Sequence, residues 1–266
     1  SLFCPEFAQP ENNNGVAEGC DRDRNRRIFV KLEGPEWSVE AIHVRREKGI
    51  PTAPYGIVFN DPRARYVDQW TLLGAEYRHP VGDAWTLGAR ASANFYRFWG
   101  YYPYDTTTSW INVDHDQSDS YGLEFQAQGK LGTSHVITLG TEFRDDARLD
   151  QKNYDEEPYV SYIDSRRSGH YGAVFAQDEV QVARRFRLAA GVRYDRYTEF
   201  AGSVSPRVAV IYAPRPGEAV RLLYGQAFRP PTAYELYYSL ADDDAYPKPN
   251  AGLGPETIAA TTLAWD

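Results

Sequence analysis

The sequence predicts an all-β fold, a partial antiparallel transmembrane β-barrel with short turns at one end and long loops at the other. Three observations carry that reading. Apolar and polar residues alternate with a period of two over stretches of about ten residues or more, longer than the roughly five or six usual in soluble sheets. Tight turns rich in Gly, Pro and Asp alternate with long connections. Charged side chains fill one face of the strands, and aromatic side chains gather on the other face beside the turns.

Taken in order, strands are expected to begin near Arg26, Trp37, Val67, Trp85, Ser120, Val136, His170, Phe186, Ser203, Ala219 and Glu256. In "WTLGARASANFY", Trp85, Leu87, Ala89, Ala91, Ala93 and Phe95 share a face opposite Thr86, Arg90, Ser92 and Asn94. In "YGLEFQAQGKL", Tyr121, Leu123, Phe125, Ala127 and Leu131 oppose Glu124, Gln126, Gln128 and Lys130. "FRLAAGVRYDRY" sets Phe186, Leu188, Ala190, Val192 and Tyr194 against Arg187, Gly191, Arg193 and Asp195. "WSVEAIHVRRE" and "GAVFAQDEVQV" break the alternation part-way, and their facing stays open. The short connections are "EGPE", "HPVGDA", "LGTSH", "VARR" and "PRPGEA". Long ones are expected at about 49–66, 100–118, 147–168 and 229–255.

The facing of the strands is an energetic matter. Arg90, Glu124, Lys130, Glu142, Arg144, Arg187, Arg193, Asp195 and Arg207 share the polar faces. In a dry core each would need a partner, and on lipid an Arg or Lys near the midplane costs about 2–4 kcal/mol. The set is therefore expected to face a wet or plugged lumen, because a slip of one residue would move all of it into lipid. Tyr77, Trp85, Phe186, Tyr212 and Trp265 are the expected interfacial girdle. A soluble sandwich also alternates polar and apolar residues and is the competing architecture.

Composition narrows the function classes. The formal charge of -8 shows no basic stripe for nucleic acid. No run of 18 apolar residues occurs, so a membrane-spanning helix is not expected and a barrel is the remaining membrane option. The chain starts at Ser1 and lacks methionine, which suggests a fragment or processed product. Single-chain barrels have even strand numbers, so an eleventh strand that contains Asp266 suggests an incomplete barrel, residues 1–266 forming one domain. Cys4 and Cys20 lie in a polar stretch where a disulfide is expected, with two free thiols as the alternative.

Four stretches, "FAQDEVQVARRFRLAAGVRYDRY", "SPRVAVIYAP", "LLYGQAFRPPTAYELYY" and "GPETI", follow one another between Phe175 and Thr257. In that order and spacing they resemble the barrel of TonB-dependent outer-membrane receptors. "REKGIPTAPYGIVFND" and "DEEPYVSYIDSRR" extend the resemblance over nearly the whole chain. The resemblance implies a plugged barrel of about 22 strands, of which these would be about half. It also implies energised import, across the outer membrane of a Gram-negative bacterium, of a scarce bulky nutrient such as a ferric siderophore (iron uptake) or cobalamin. The implied partners are a small-molecule or metal-chelate ligand, outer-membrane lipid, and TonB through a plug segment that this sequence does not contain. The alternatives are a passive porin or channel and a soluble β-rich binding module.

Candidate ligand-binding residues lie where strands give way to the long loops. Pro230 and Pro231 lack the amide protons to continue a ladder, so the strand should end there and release Tyr234, Tyr237 and Tyr238 into an extracellular loop. "FWGYYPYD" gathers Phe98, Trp99, Tyr101, Tyr102 and Tyr104 at another such junction. Each tyrosine set suits either ligand contact or an aromatic belt. Arg166 and Arg167 suit an anionic ligand, lipopolysaccharide phosphates or plain solvation. Asp114, His115, Asp116 and Asp119 in "VDHDQSD", and Asp242, Asp243 and Asp244 in "ADDDAY", lack the spacing of a calcium loop and read as solvated surface. The five histidines are scattered and no catalytic motif occurs, so neither an enzyme, nor a cofactor, nor a metal site is expected.

Overall fold

The computed structural model describes residues 1–105, 110–198, 200–239 and 248–266. A small ribbon, β1 (Leu2–Phe3) with β2 (Val16–Ala17), precedes one large sheet. Its strands are β3 (Asp23–Glu33), β4 (Trp37–Gly49), β5 (Arg65–Val81), β6 (Trp85–Pro103), β7 (Ile111–Leu131), β8 (His135–Asp155), β9 (Val160–Ala183), β10 (Phe186–Tyr197), β11 (Ser203–Tyr212), β12 (Val220–Arg229) and β13 (Glu256–Trp265). Among the described residues these are eleven antiparallel strands in a continuous meander from β3 to β13, which leaves the sheet open at both edges. The eleven expected strands thus form, and the all-β, partial-barrel architecture is the one observed.

Cross-strand register gives the sheet two chemically distinct faces. One row of partners runs Ser38, Glu76, Arg90, Glu124, Glu142, Ala173, Asp195, Ser203. The row on the opposite face runs Trp37, Tyr77, Ala89, Phe125, Thr141, Val174, Tyr194, Val204. The large apolar side chains are outside, not buried: Phe125 and Val174 are each 54% exposed. A sheet that shows water this much hydrocarbon needs another apolar phase to cover it. No helix among the described residues is long and apolar enough to cross a membrane.

The two strands of open facing resolve by register. β4 places Trp37, Val39 and Ala41 on the apolar face, and β9 places Val174, Ala176 and Val180 there. Asp178, which breaks the β9 pattern on that face, bonds to His135 Nδ1 at 2.7 Å. Tight turns close the end opposite the long connections, with Gly82, Gly132 and Gly217 at φ of 60°, 66° and 85°, a region that costs other residues strain.

Two expected loops are largely strand. β7 starts at Ile111 and β8 runs to Asp155 before β9 resumes at Val160, so most of 100–118 and 147–168 is paired. The ladder satisfies the backbone there, and polar side chains such as Asp114, His115, Gln151 and Lys152 occupy both faces, which erases the alternation that marks a strand elsewhere. β12 ends at Arg229 before Pro230 and Pro231, as expected. The chain then forms a short helix, α1 (Ala233–Tyr237). Thr232 caps it: its hydroxyl accepts from Glu235 N at 3.2 Å, and the Glu235 carboxylate accepts from Thr232 N at 2.7 Å.

Near the N-terminus, Cys4, Ala17, Cys20 and Phe59 form a small buried cluster. The disulfide expected between Cys4 and Cys20 is absent. Both are free thiols, and the Cys20 Sγ points to Glu18 O at 3.3 Å instead of to its expected partner. Burial, and then the charge of Asp61, push the Cys20 thiol above its ordinary value, so it stays protonated.

Candidate functional site

All nine charged residues expected on the polar side share one face by register. Two centres organise that face. The first is built on Arg193, whose guanidinium donates to Asp195 Oδ1 at 2.9 Å, to Glu142 Oε2 at 2.6 Å and to the Tyr171 hydroxyl. Tyr171 donates in turn to Asp195 Oδ1 at 2.8 Å. Asp195 is 2% exposed, so its charge depends on these donors. Arg193, Asp195 and Arg207 line a shallow recess with Gln226 and Phe228.

The second centre lies at the end of the face near the long connections. Asp114 of β7 accepts from the Tyr238 hydroxyl at 2.7 Å, from Asn153 Nδ2 at 2.6 Å and from Tyr102. Asn112 Nδ2 donates to Asn153 Oδ1 and Asp155 Oδ1, both at 2.9 Å. Asp116 and Gln151 are cross-strand partners on the same face, one step deeper into the sheet. Asp116 Oδ1 and Gln151 Oε1 are buried and have no hydrogen-bond partner among the described residues. Burial, and then Asp114, push the Tyr238 phenol far above its ordinary range, so it is a donor at any physiological pH.

The tyrosines expected to act together are divided by the structure. Tyr102 is 7% exposed and packs with Ile50, Ile57 and Ala64, whereas Tyr101 faces the other way beneath the Arg65 guanidinium, 3.8 Å from its centroid. Tyr104 packs against the Tyr102 cluster and Trp110. Tyr234 stacks on Tyr238 at 4.5 Å, while Tyr238 itself is 6% exposed. Arg167 lies 3.6 Å over the Tyr237 ring. Register puts Arg166 on the opposite face from Arg167, beside Asp164 at 3.3 Å, so the two arginines do not converge on one anion.

Asp114 and Asp116 share the polar face, while His115 and Asp119 alternate onto the other, which splits the "VDHDQSD" cluster. Among the described residues no three His, Cys, Asp or Glu side chains gather as a metal site would require. Asp242, Asp243 and Asp244 lie outside the described residues. The sequence did not single out Tyr171 in the first centre, nor Asn112, Gln151, Asn153 and Asp155 in the second. A capping-box signal, Thr232 followed three residues on by Glu235, marks α1 in the sequence.

Residues 32–266 match the family described as TonB dependent receptor-like, beta-barrel. Among solved structures, a ferric enterobactin receptor (PfeA) variant from Pseudomonas aeruginosa superposes with a TM-score of 0.67 at 16% identity, covering 92% of this chain and 40% of that one. The copper transporter OprC gives 0.64 at 13% identity, with 91% and 42% covered. The ferric yersiniabactin uptake receptor FyuA from Yersinia pestis gives 0.59 at 12% identity, with the same coverage. At these identities the likeness is one of fold, and the chain spans about two-fifths of the length of each. No curated protein sequence matches.

Proposed function

The chain belongs to the TonB-dependent receptor β-barrel family, and from that premise we propose that it forms part of the wall of an outer-membrane receptor that captures a small, bulky nutrient for energised import. The observation that supports this most is the division of the sheet. A polar face holding Arg90, Glu124, Lys130, Glu142, Arg144, Arg187, Arg193, Asp195 and Arg207 suits a lumen, and the face holding Phe125, Val174 and Tyr194 suits lipid. Tyr77, Trp85, Phe186, Tyr212 and Trp265 all fall on the apolar face by register, near the tight turns, where an interfacial girdle belongs. That orientation puts the Asp114 centre at the extracellular mouth.

The neighbours in structure are a ferric enterobactin receptor, a ferric yersiniabactin uptake receptor and a copper transporter, which favours a metal chelate as the nutrient. The chemistry is binding and gated passage with no covalent step. Lipid surrounds the wall, and TonB would act through a plug domain.

Expression of the full gene in a Gram-negative host tests this. The protein should fractionate with the outer membrane, migrate differently with and without boiling, and support accumulation of a metal chelate only when TonB is present. Accumulation that persists without TonB would assign a passive channel instead. A protein that stays folded and monomeric without detergent would exclude both.

A further inference from the structure

Resting on the receptor reading, we propose that the mouth of this wall binds a protonated amine carried by the nutrient, held between Asp116 and Gln151 below the Asp114–Tyr238 bond. A buried acceptor without a donor costs free energy, and the fold keeps two on neighbouring strands. Gln151 is 6% exposed, so bulk water does not reach it freely. A group that supplies N–H donors and positive charge answers both deficits.

The surroundings say which donor. The cross-strand neighbours of Asp114 and Asp116 on β6 are Gly100 and Phe98, and those on β8 are Asn153 and Gln151. None is a cation. Arg167, on the next strand, spends its guanidinium on the Tyr237 ring. Asp114 already accepts three hydrogen bonds from neutral donors, which leaves its charge uncompensated next to Asp116. Asp114 and Asp116 stand together with no basic cross-strand neighbour among the described residues, an arrangement that favours a cation over an anion.

A metal ion fits less well than an ammonium. Hard metals take six or more oxygens at short distance, and no cluster of three metal-ligating side chains occurs among the described residues. An ammonium needs only three acceptors at ordinary hydrogen-bond distance. Asp116 Oδ1 and Gln151 Oε1 are two, and the ligand or a water supplies the third. Phe98, the cross-strand partner of Asp116, puts an aromatic residue beside the pair.

The test is calorimetry of the full receptor in detergent micelles, with spermidine as the charged probe and its fully N-acetylated derivative as the neutral one. Spermidine should bind, and the acetylated form should not. Asp116→Asn should weaken spermidine by at least about tenfold, while Asp164→Asn, which removes the same charge from the opposite face, leaves it unchanged. Gln151→Met should lower affinity without lowering the unfolding temperature, because it removes an unpaired acceptor and keeps the volume. No spermidine binding, equal binding in Asp116→Asn, or displacement of spermidine by calcium would overturn the proposal. Outer-membrane location and TonB-dependent uptake, measured on the same strain, fail separately if the receptor reading itself is wrong.

Discussion

The Tyr238 hydroxyl donates to the Asp114 carboxylate at 2.7 Å across 124 residues of sequence. A segment that follows β12 is thereby tied to β7, five strands away along the sheet. The Arg167–Tyr237 stack ties the same segment to β9.

Tyr238→Phe removes the hydroxyl and keeps the ring. A hydrogen bond to a charged group contributes about 1.5–3 kcal/mol, so α1 should open locally far more often. Hydrogen exchange of residues 233–239 should accelerate by at least about tenfold, with the strands unchanged. Unaltered exchange would show that packing alone holds the segment.

Arg193→Ala should be the most damaging single truncation on the polar face. It strips Asp195 and Glu142 of their shared cation while Asp195 stays buried, and breaking such a pair costs about 3–5 kcal/mol. Thermal unfolding in detergent reads this directly. The double change Arg193→Met with Asp195→Leu should recover much of the loss.

Val208 and Ser205 lie on opposite faces of β11 by register. An arginine introduced at Val208 should cost about 2–4 kcal/mol and reduce assembly into membranes, and one at Ser205 should be tolerated. Equal loss in the two variants would refute the assignment of faces.

Glu235 gives a pH signature. Arg229, and then Thr232, hold its carboxyl down at about 2, below the ordinary 4.5. A depressed carboxyl stabilises the fold fully above its ordinary value, and that contribution fades as pH falls from there toward about 2. Protease cleavage near α1 should be flat at neutral pH and rise across that acidic window. Glu235→Gln should lose the pH dependence over the same window.

Legibility differed along the chain for a physical reason. Strands such as β6 and β10 were readable because Leu87, Ala89 and Val192 alternate with Arg90 and Arg193, residues that cannot exchange environments. The outer parts of β7 and β8 were not, because Asp114, His115, Lys152 and Asn153 are polar whichever way they face. The divided roles of Arg166 and Arg167 follow from register alone, which adjacent letters in a sequence do not display. Gln151 was invisible as a site residue because its interest lies in what it lacks, a partner, and that requires coordinates.

The unequal strand lengths shape how anything can arrive. β7, β8 and β9 run 21, 21 and 24 residues, whereas β11, β12 and β13 run 10 each. Since all share the tight turns at one end, the rim is high on one side and low on the other. At roughly 3.4 Å per residue, less the tilt of the strands, the step is on the order of 25 Å. The tall side acts as a windbreak. On this stretch of wall the carboxylates of Asp114 and Asp116 stand on the tall side and α1 reaches across to them from the low side through Tyr238, so a solute that comes in over the short strands shares its path with α1.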